Sequence, residues 1–197
     1  MTQERKITIA CIGWGSLIWS RKDLAIRGEW NSDGPPLPVE FARESDDGRI
    51  TLVICSNVPN VPTYWATLDV PAMQMAKEKL AAREFPKATE KWVKKNIGFW
   101  HRESGESYGM EAKAIAGWAA QRDLDGVVWT NLLCGLKGAR GTMPSGAEVI
   151  TRLRSLDSLA ASKAEQYVRC APPQVDTAYR RLIEKEFGWL PSSSEAG

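Results

Sequence analysis

Residues 7–19 read ITIACIGWGSLIW and join a buried strand to a glycine-containing loop. The first part is rich in β-branched isoleucine and contains no large polar side chain, a composition that predicts a central strand of a sheet. Gly13 and Gly15 then allow the backbone to bend and to turn its N–H groups outward. Main-chain donors arranged in this way can hold a carboxylate or a developing oxyanion. The segment therefore predicts an anion or carbonyl site at the end of the first strand.

Two other interpretations of this loop remain open. Gly13-Trp14-Gly15 after a strand matches the first half of a dinucleotide-binding fingerprint, but Ile18 stands where the third glycine belongs. The following residues, WSRK at 19–22, do not begin an obvious amphipathic helix, which that fingerprint requires. The glycines also fit a structural turn at the end of a strand, where they only relieve steric crowding.

Composition narrows the class of protein and the class of ligand. The chain has 197 residues, of which 43% are hydrophobic and 25% charged, with a formal net charge of +2. We expect one domain over residues 1–190 and a mobile tail over 191–197. The small net charge provides no strong attraction to nucleic acid or to an anionic membrane, and no apolar run is long enough to span a bilayer. A small-molecule ligand is therefore expected, while the sequence does not indicate an oligomeric state.

The cysteines predict neither a metal site nor a disulfide framework. The four are dispersed, with no CxxC and no Cys/His cluster: Cys11, Cys55, Cys134 and Cys170. The first three lie in apolar, strand-like surroundings, which is typical of buried free thiols. This usage favours a reducing, cytoplasmic setting, and we expect no metal and no cofactor.

The remaining patterns predict a mixed α+β fold, a small twisted mixed β-sheet or β-barrel flanked by helices. The turn sequence SDDG at 45–48 separates two alternating segments and predicts a hairpin. The predicted strands are 7–13, 37–44, 49–55, 63–69 and 126–133; the predicted helices are 71–84, a short one near 89–95, 109–123, 146–168 with a break, and 173–187.

The helix predicted over 71–84 carries a carboxylate on its apolar face. Measured from Met73 at about 100° per residue, Leu80 falls near −20° and Glu84 near +20°, whereas Glu78 falls near 140° and is expected in solvent. A carboxylate held against apolar surface should have a raised pKa, which suits a general acid/base working near neutral pH. The alternative is a glutamate at a frayed helix end, before Phe85-Pro86, paired with an arginine.

Other polar residues are weaker candidates. His101 is the only histidine, so a Ser–His or Cys–His dyad would need it, but its unpatterned surroundings favour a surface or structural role. Ser16 lacks the G-x-S-x-G elbow of a nucleophile. The remaining candidates flank the hairpin turn, where they could reach a substrate carboxylate, or end the strand at 126–133 as the rim of a site: Arg43, Ser45, Arg49, Trp129, Thr130 and Asn131.

Three motifs within residues 7–84 resemble a known family. The loop GWGSLIW at 13–19 resembles the Tyr-Gly-Ser-Leu loop of γ-glutamylcyclotransferase-like proteins, and its Ile-Trp ending is closest to the ChaC branch. The segment SDDGRITLV at 45–53 is similar to that branch's Gly-Arg followed by a Thr-Leu-Val strand. Residues 64–84 look like the family's strand followed by a helix that ends in Arg-Glu.

The resemblance implies a small β-barrel with flanking helices and a pocket made by the loop and Glu84. In the family pattern this glutamate is the acid/base catalyst, and the loop amides bind the polar head of a γ-glutamyl group. The carboxylate accepts a proton from the substrate's α-amine and then protonates the departing amine, so that a γ-glutamyl peptide such as glutathione, or a γ-glutamyl amide, yields 5-oxoproline. The candidate substrate-binding residues are Gly13, Trp14, Gly15, Ser16, Leu17 and Arg49.

One residue departs from the family pattern. Trp14 stands where the family has tyrosine, which removes a hydroxyl and enlarges the side chain. Because the family also contains members without an established reaction, two classes of function remain open beside a dinucleotide-dependent oxidoreductase, which would bind a nicotinamide. The first is an acyl-transfer enzyme that uses Glu84, and the second is a non-catalytic module that binds a small amide or carboxylate in the same pocket.

Overall fold

The computed structural model describes residues 7–192, which fall into two units. The first unit takes in the chain up to Gly13, Ser20–Pro35 and Thr63–Asn131; the second takes in Trp14–Trp19, Pro36–Pro62 and the chain from Leu132 onward. The expectation of one domain over 1–190 stays a prediction. Residues 193–197 of the predicted tail lie outside the described part of the chain.

Eight strands and six helices occur in the described residues. In chain order they are β1 (Ile9–Gly13), β2 (Ile26–Asn31), β3 (Val39–Glu44), β4 (Ile50–Ile54), β5 (Tyr64–Leu68), α1 (Met73–Glu84), α2 (Glu90–Asn96), β6 (Ile97–His101), β7 (Ser107–Tyr108), α3 (Ala112–Ala120), β8 (Gly126–Thr130), α4 (Gly146–Arg154), α5 (Ser158–Cys170) and α6 (Ala178–Phe187). The predicted central strand, hairpin and helices are present, and the break expected within 146–168 separates α4 from α5. Strands β2, β6 and β7 were not expected.

The first unit is built on a six-stranded sheet in the order β2-β5-β1-β8-β6-β7. All five residues of β1 are buried, and this strand runs parallel to β8 and antiparallel to β5. The mixed α+β class is therefore confirmed. The expected barrel is not present among these strands, because β2 and β7 are open edges and β7 is only two residues long, too short to close the sheet.

The second unit contains the predicted hairpin. Strands β3 and β4 pair antiparallel, with Val39 opposite Ile54 and Glu44 opposite Ile50. The N–H of Gly48 donates to the carbonyl of Ser45 at 3.0 Å, and Gly48 has φ +85°, a left-handed conformation that glycine adopts without strain. Helix α6 packs against β3, and α4 packs against both α5 and α6.

Two buried charged residues fasten the helices of this unit. Glu40 is 1% exposed and accepts hydrogen bonds from the Thr177 hydroxyl and, at 3.2 Å, from the Tyr179 N–H, so that it caps the N-terminus of α6. Arg180, also 1% exposed, donates to four backbone carbonyl oxygens around the C-terminus of α5: those of Val168, Ala171, Pro172 and Val175. The guanidinium thereby supplies donors to carbonyls at the end of the helix and just beyond it, where the helical hydrogen bonds end.

Candidate functional site

The predicted binding loop is a turn whose apolar side chains are buried in part, since Ile18 is half-buried and Trp19 is exposed. The N–H of Ile18 donates to the carbonyl of Gly15 at 3.0 Å. Trp14 and Leu17 are buried, and Ser16 is half-buried. The indole Nε1–H of Trp14 donates to the carbonyl of Leu52 at 3.2 Å, so this side chain ties the loop to β4. Gly13 belongs to the first unit, where it ends β1 opposite Tyr64.

The loop is not followed by the helix of a dinucleotide-binding unit. Residues 20–25 contain no helix, and the next element along the chain is the strand β2. A dinucleotide fingerprint needs strand, loop and helix in succession so that the helix N-terminus faces the pyrophosphate. The geometry therefore does not favour the dinucleotide interpretation.

A tyrosine hydroxyl lies against the backbone of Gly15. A Cβ atom added to Gly15 would meet Tyr167 Oη at 2.6 Å, while the next nearest atom, Tyr167 Cζ, would be at an ordinary 3.6 Å. The same oxygen accepts a hydrogen bond from the Leu52 N–H at 3.3 Å. Only glycine permits so close an approach, and the hydroxyl joins the loop to β4 from the side of α5.

The ring of Tyr167 also contacts two aromatic side chains and one cationic side chain. Trp19 meets its ring edge-on, with the centroids 5.3 Å apart, and Phe41 does so at 6.2 Å. The guanidinium carbon of Arg49 lies 5.6 Å from the Tyr167 centroid, and Arg49 Nε donates to Asp47 Oδ1 at 3.0 Å. We name Trp14, Gly15, Leu52, Tyr167 and Arg49 the loop cluster. It brings together three of the predicted binding residues with a tyrosine that the sequence did not single out.

Glu84 lies in the first unit, at the C-terminus of α1. Its side chain is 18% exposed, whereas Glu78 on the same helix is exposed and accepts a hydrogen bond from Gln74. The helical wheel therefore predicted correctly that Glu84 is more buried than Glu78. Arg83 Nη1 donates to Glu84 Oε1 at 2.8 Å, which is the arginine pairing considered as the alternative.

Arg83 is more buried than its acidic neighbour and anchors the pair. Its side chain is 7% exposed, and Nη2 donates to the carbonyl of Ser20 at 2.7 Å. The guanidinium therefore places a positive charge directly beside the Glu84 carboxylate. The raised pKa expected for Glu84 from apolar surroundings alone stays a prediction.

The negative charge of Glu84 affects the pKa of a thiol on the buried central strand. Burial, and then the negative charge of Glu84, raise the pKa of the Cys11 thiol, while the positive charge of Arg83 opposes the increase. Cys11 on β1 is fully buried and stands two residues before Gly13. The carboxylate therefore lies close enough to the middle of β1, within the first unit, to act on Cys11.

The weaker candidates have local structural contacts. Arg43 Nη1 donates to the carbonyl of Leu133 at 2.8 Å, and the Ser45 hydroxyl donates within its own turn. Trp129 is buried, and Asn131 Oδ1 accepts from the Met110 N–H at 2.7 Å. His101 Nδ1 lies 3.0 Å from the Ser104 hydroxyl in the turn that follows β6. These contacts are those of turns and strand ends.

Among residues 7–192, no group of three or more His, Cys, Asp or Glu side chains is arranged to hold a metal ion. No helix in this range is long and apolar enough to cross a membrane. Comparisons with protein-family models, with curated proteins and with solved structures find no match for the chain. The family resemblance of residues 7–84 therefore stays a prediction.

Proposed function

We propose that the protein is a γ-glutamylcyclotransferase-like enzyme that cyclises a γ-glutamyl peptide or amide to 5-oxoproline, with Glu84 as general acid/base. The observation that carries the proposal is the burial of Glu84, whose side chain is 18% exposed, whereas Glu78 on the same helix is exposed. A carboxylate withdrawn from solvent in this way suits a general acid/base. We assign the reaction to the reducing cytoplasm, in keeping with the four free cysteines.

The proposed reaction joins an intramolecular attack to the transfer of one proton through Glu84. The α-amine nitrogen of the γ-glutamyl group attacks the γ-carbonyl carbon and forms the five-membered lactam. Glu84 accepts a proton from that nitrogen and delivers it to the leaving amine as the γ-amide C–N bond breaks. The products are 5-oxoproline and a free amine or amino acid, and the reaction consumes neither water nor an oxidant. The carboxylate returns to its starting form after each turnover.

The loop cluster supports the part of the proposal that concerns binding. Gly15 keeps the backbone free of a side chain, and the Trp14 indole and Tyr167 hydroxyl fasten the loop to β4. A loop fixed in advance can present its N–H groups to a carbonyl or carboxylate without the cost of ordering them during binding. In the proposal, the loop residues bind the γ-glutamyl head and Arg49 binds the substrate's α-carboxylate.

The alternative function, a non-catalytic binding module, is favoured by one observation. Arg83 and Glu84 are neighbours in sequence, and Arg83 also binds the Ser20 carbonyl, so the pair can be explained as an anchor for the end of α1. In that account Glu84 needs no chemical role. The loop cluster would then hold a small amide or carboxylate that leaves unchanged.

A substrate panel distinguishes the two functions. The full chain is incubated with glutathione, with γ-glutamyl dipeptides and with γ-glutamyl amines, and 5-oxoproline is measured by chromatography alongside the melting temperature. Formation of 5-oxoproline from at least one compound supports the enzyme. A higher melting temperature with the compound recovered intact supports the binding module. If no compound yields 5-oxoproline, the proposed enzyme function is wrong for this chain.

A further inference from the structure

Two of the four thiols meet on one face of the hairpin in the second unit. Cys55 directly follows β4 and lies two residues after Val53, a spacing that puts the two side chains on the same side of an extended chain. They form a buried cluster with Ala42 of β3, and Cys134 packs against that cluster. Cys55 is fully buried, whereas Cys134 is half-buried and can be reached from solvent.

The segment that carries Cys134 is held in place by its backbone. The N–H of Gly135 donates to the carbonyl of Ala42 at 2.7 Å, and the N–H of Glu44 donates to the carbonyl of Gly135 at 3.2 Å. On the other side, the carbonyl of Cys134 accepts from the Gly141 N–H at 2.8 Å. These hydrogen bonds hold the segment alongside β3. The fold therefore keeps the Cys134 side chain against the cluster that contains Cys55.

We propose that Cys55 and Cys134 are a reversible oxidation site that closes to a disulfide when the protein meets a peroxide. The Cys134 thiolate attacks a peroxide oxygen, the O–O bond breaks, hydroxide leaves, and Cys134 becomes a sulfenic acid. The sulfur of Cys55 then attacks the Cys134 sulfur; an S–S bond forms, the S–O bond breaks, and water carries away the hydroxyl and the Cys55 proton. The two thiols supply the two electrons that reduce the peroxide.

The burial of Cys55 determines which of the two thiols reacts with the peroxide and which closes the disulfide. Burial, followed by the charges of Cys134 and Glu40, raises the pKa of the Cys55 thiol to about 12. The groups that face it are Glu40 from β3, Cys134, and Tyr179 from α6. Because Cys55 is fully buried and Cys134 is half-buried, Cys134 meets the oxidant and Cys55 is the resolving sulfur. Because the thiolate fraction of such a group rises about tenfold per pH unit, the rate of disulfide closure should rise about 100-fold from pH 6 to pH 8.

Peptide mapping of the full chain tests the proposal. The folded protein is treated with hydrogen peroxide, quenched, and digested without reductant, and thiols are counted under denaturing conditions. We expect a Cys55–Cys134 peptide, a loss of two titratable thiols, and full reversal by dithiothreitol. Cys170→Ser is the matched control, since Cys170 is also half-buried in the same unit, and its disulfide yield should equal that of the wild type.

Two variants separate the steps. Cys55→Ala should leave a Cys134 sulfenic acid that a dimedone probe captures, and Cys134→Ser should leave Cys55 reduced at the same peroxide dose. The proposal is overturned if wild-type Cys134 gains oxygen atoms while Cys55 stays a thiol, or if oxidation joins Cys134 to Cys170. None of these readouts depends on 5-oxoproline formation, so the result stands whether or not the proposed enzyme activity is found.

Discussion

The two units are stabilised in different ways. The first unit has a six-stranded sheet with a fully buried central strand, whereas the second has a two-stranded hairpin, which is marginal by itself in water. The second unit adds buried polar contacts, in which Glu40 caps α6 and Arg180 binds the carbonyls at the end of α5. The units also contribute different chemistry, a paired carboxylate in the first and a shaped aromatic loop cluster in the second. Substitutions of single polar groups should therefore affect the second unit most.

The largest loss of stability is expected from Arg180→Met. Removal of the guanidinium takes one hydrogen-bond donor from each of four carbonyls and from Glu184, which should lower the free energy of unfolding by about 3–5 kcal/mol. Arg181→Met is the matched control, because this neighbouring side chain is 60% exposed and its ion pair is with the exposed Asp176, and its effect should stay within about 0.5 kcal/mol. Urea denaturation measures both. Equal effects of the two variants would refute the role given to buried charge.

The next effect is expected from Gly15→Ala. The new methyl group would overlap Tyr167 Oη, and the strain should lower the free energy of unfolding by about 1–3 kcal/mol. Tyr167→Phe removes that oxygen, so the double variant should be more stable than the sum of the single effects predicts. Gly117→Ala is the control, since its added Cβ would meet nothing within 4 Å. Strict additivity of the Gly15 and Tyr167 substitutions would show that the two residues do not touch in this way.

The smallest expected effect is a change in the stability of the protein with pH that is caused by Glu40. Burial raises the pKa of this carboxyl in the folded state, although the Thr177 hydroxyl and the backbone N–H groups of Phe41, Ala178 and Tyr179 oppose the increase. The folded state therefore favours the protonated Glu40 carboxyl. The resulting contribution to the free energy of unfolding is fully present below the unfolded-state pKa of about 4.3 and is lost as the pH rises through the folded-state pKa. The wild type should lose stability relative to Glu40→Gln as the pH is raised from 4 to 8. A gain over the same range would mean that the hydrogen bonds outweigh the burial.

The sequence predicted those features that depend on local pattern. The isoleucine run identified β1, the SDDG turn identified the hairpin, and the helical wheel separated Glu84 from Glu78. Strand β2 was missed because it lies at the edge of the sheet, is mostly exposed, and contains Gly28 with φ +81°, so no alternation marks it. Strand β6 follows α2 directly, without the turn residues that usually separate two elements.

Tyr167 and Arg83 show why the rest of the site was not predictable. Their contacts join positions that are far apart in sequence, Tyr167 with Leu52 and Arg83 with Ser20, and no local period records such pairs. Helical spacing with Ala164 and Val168 could have predicted that Tyr167 is buried, but not what its hydroxyl touches. The ion pair of Arg83 with Glu84 joins neighbours that the wheel separates by about 100°, so it depends on side-chain reach rather than on helix geometry.

The most direct test of the central claim compares two glutamates on one helix. The rate of 5-oxoproline formation is measured for the wild type, Glu84→Gln and Glu78→Gln with whichever γ-glutamyl compound reacts fastest, and the folded state of each is checked by its melting temperature. Loss of a general acid/base should lower the rate at least about 100-fold for Glu84→Gln, whereas Glu78→Gln should match the wild type. A folded Glu84→Gln variant that forms 5-oxoproline at the wild-type rate would contradict the assignment of Glu84.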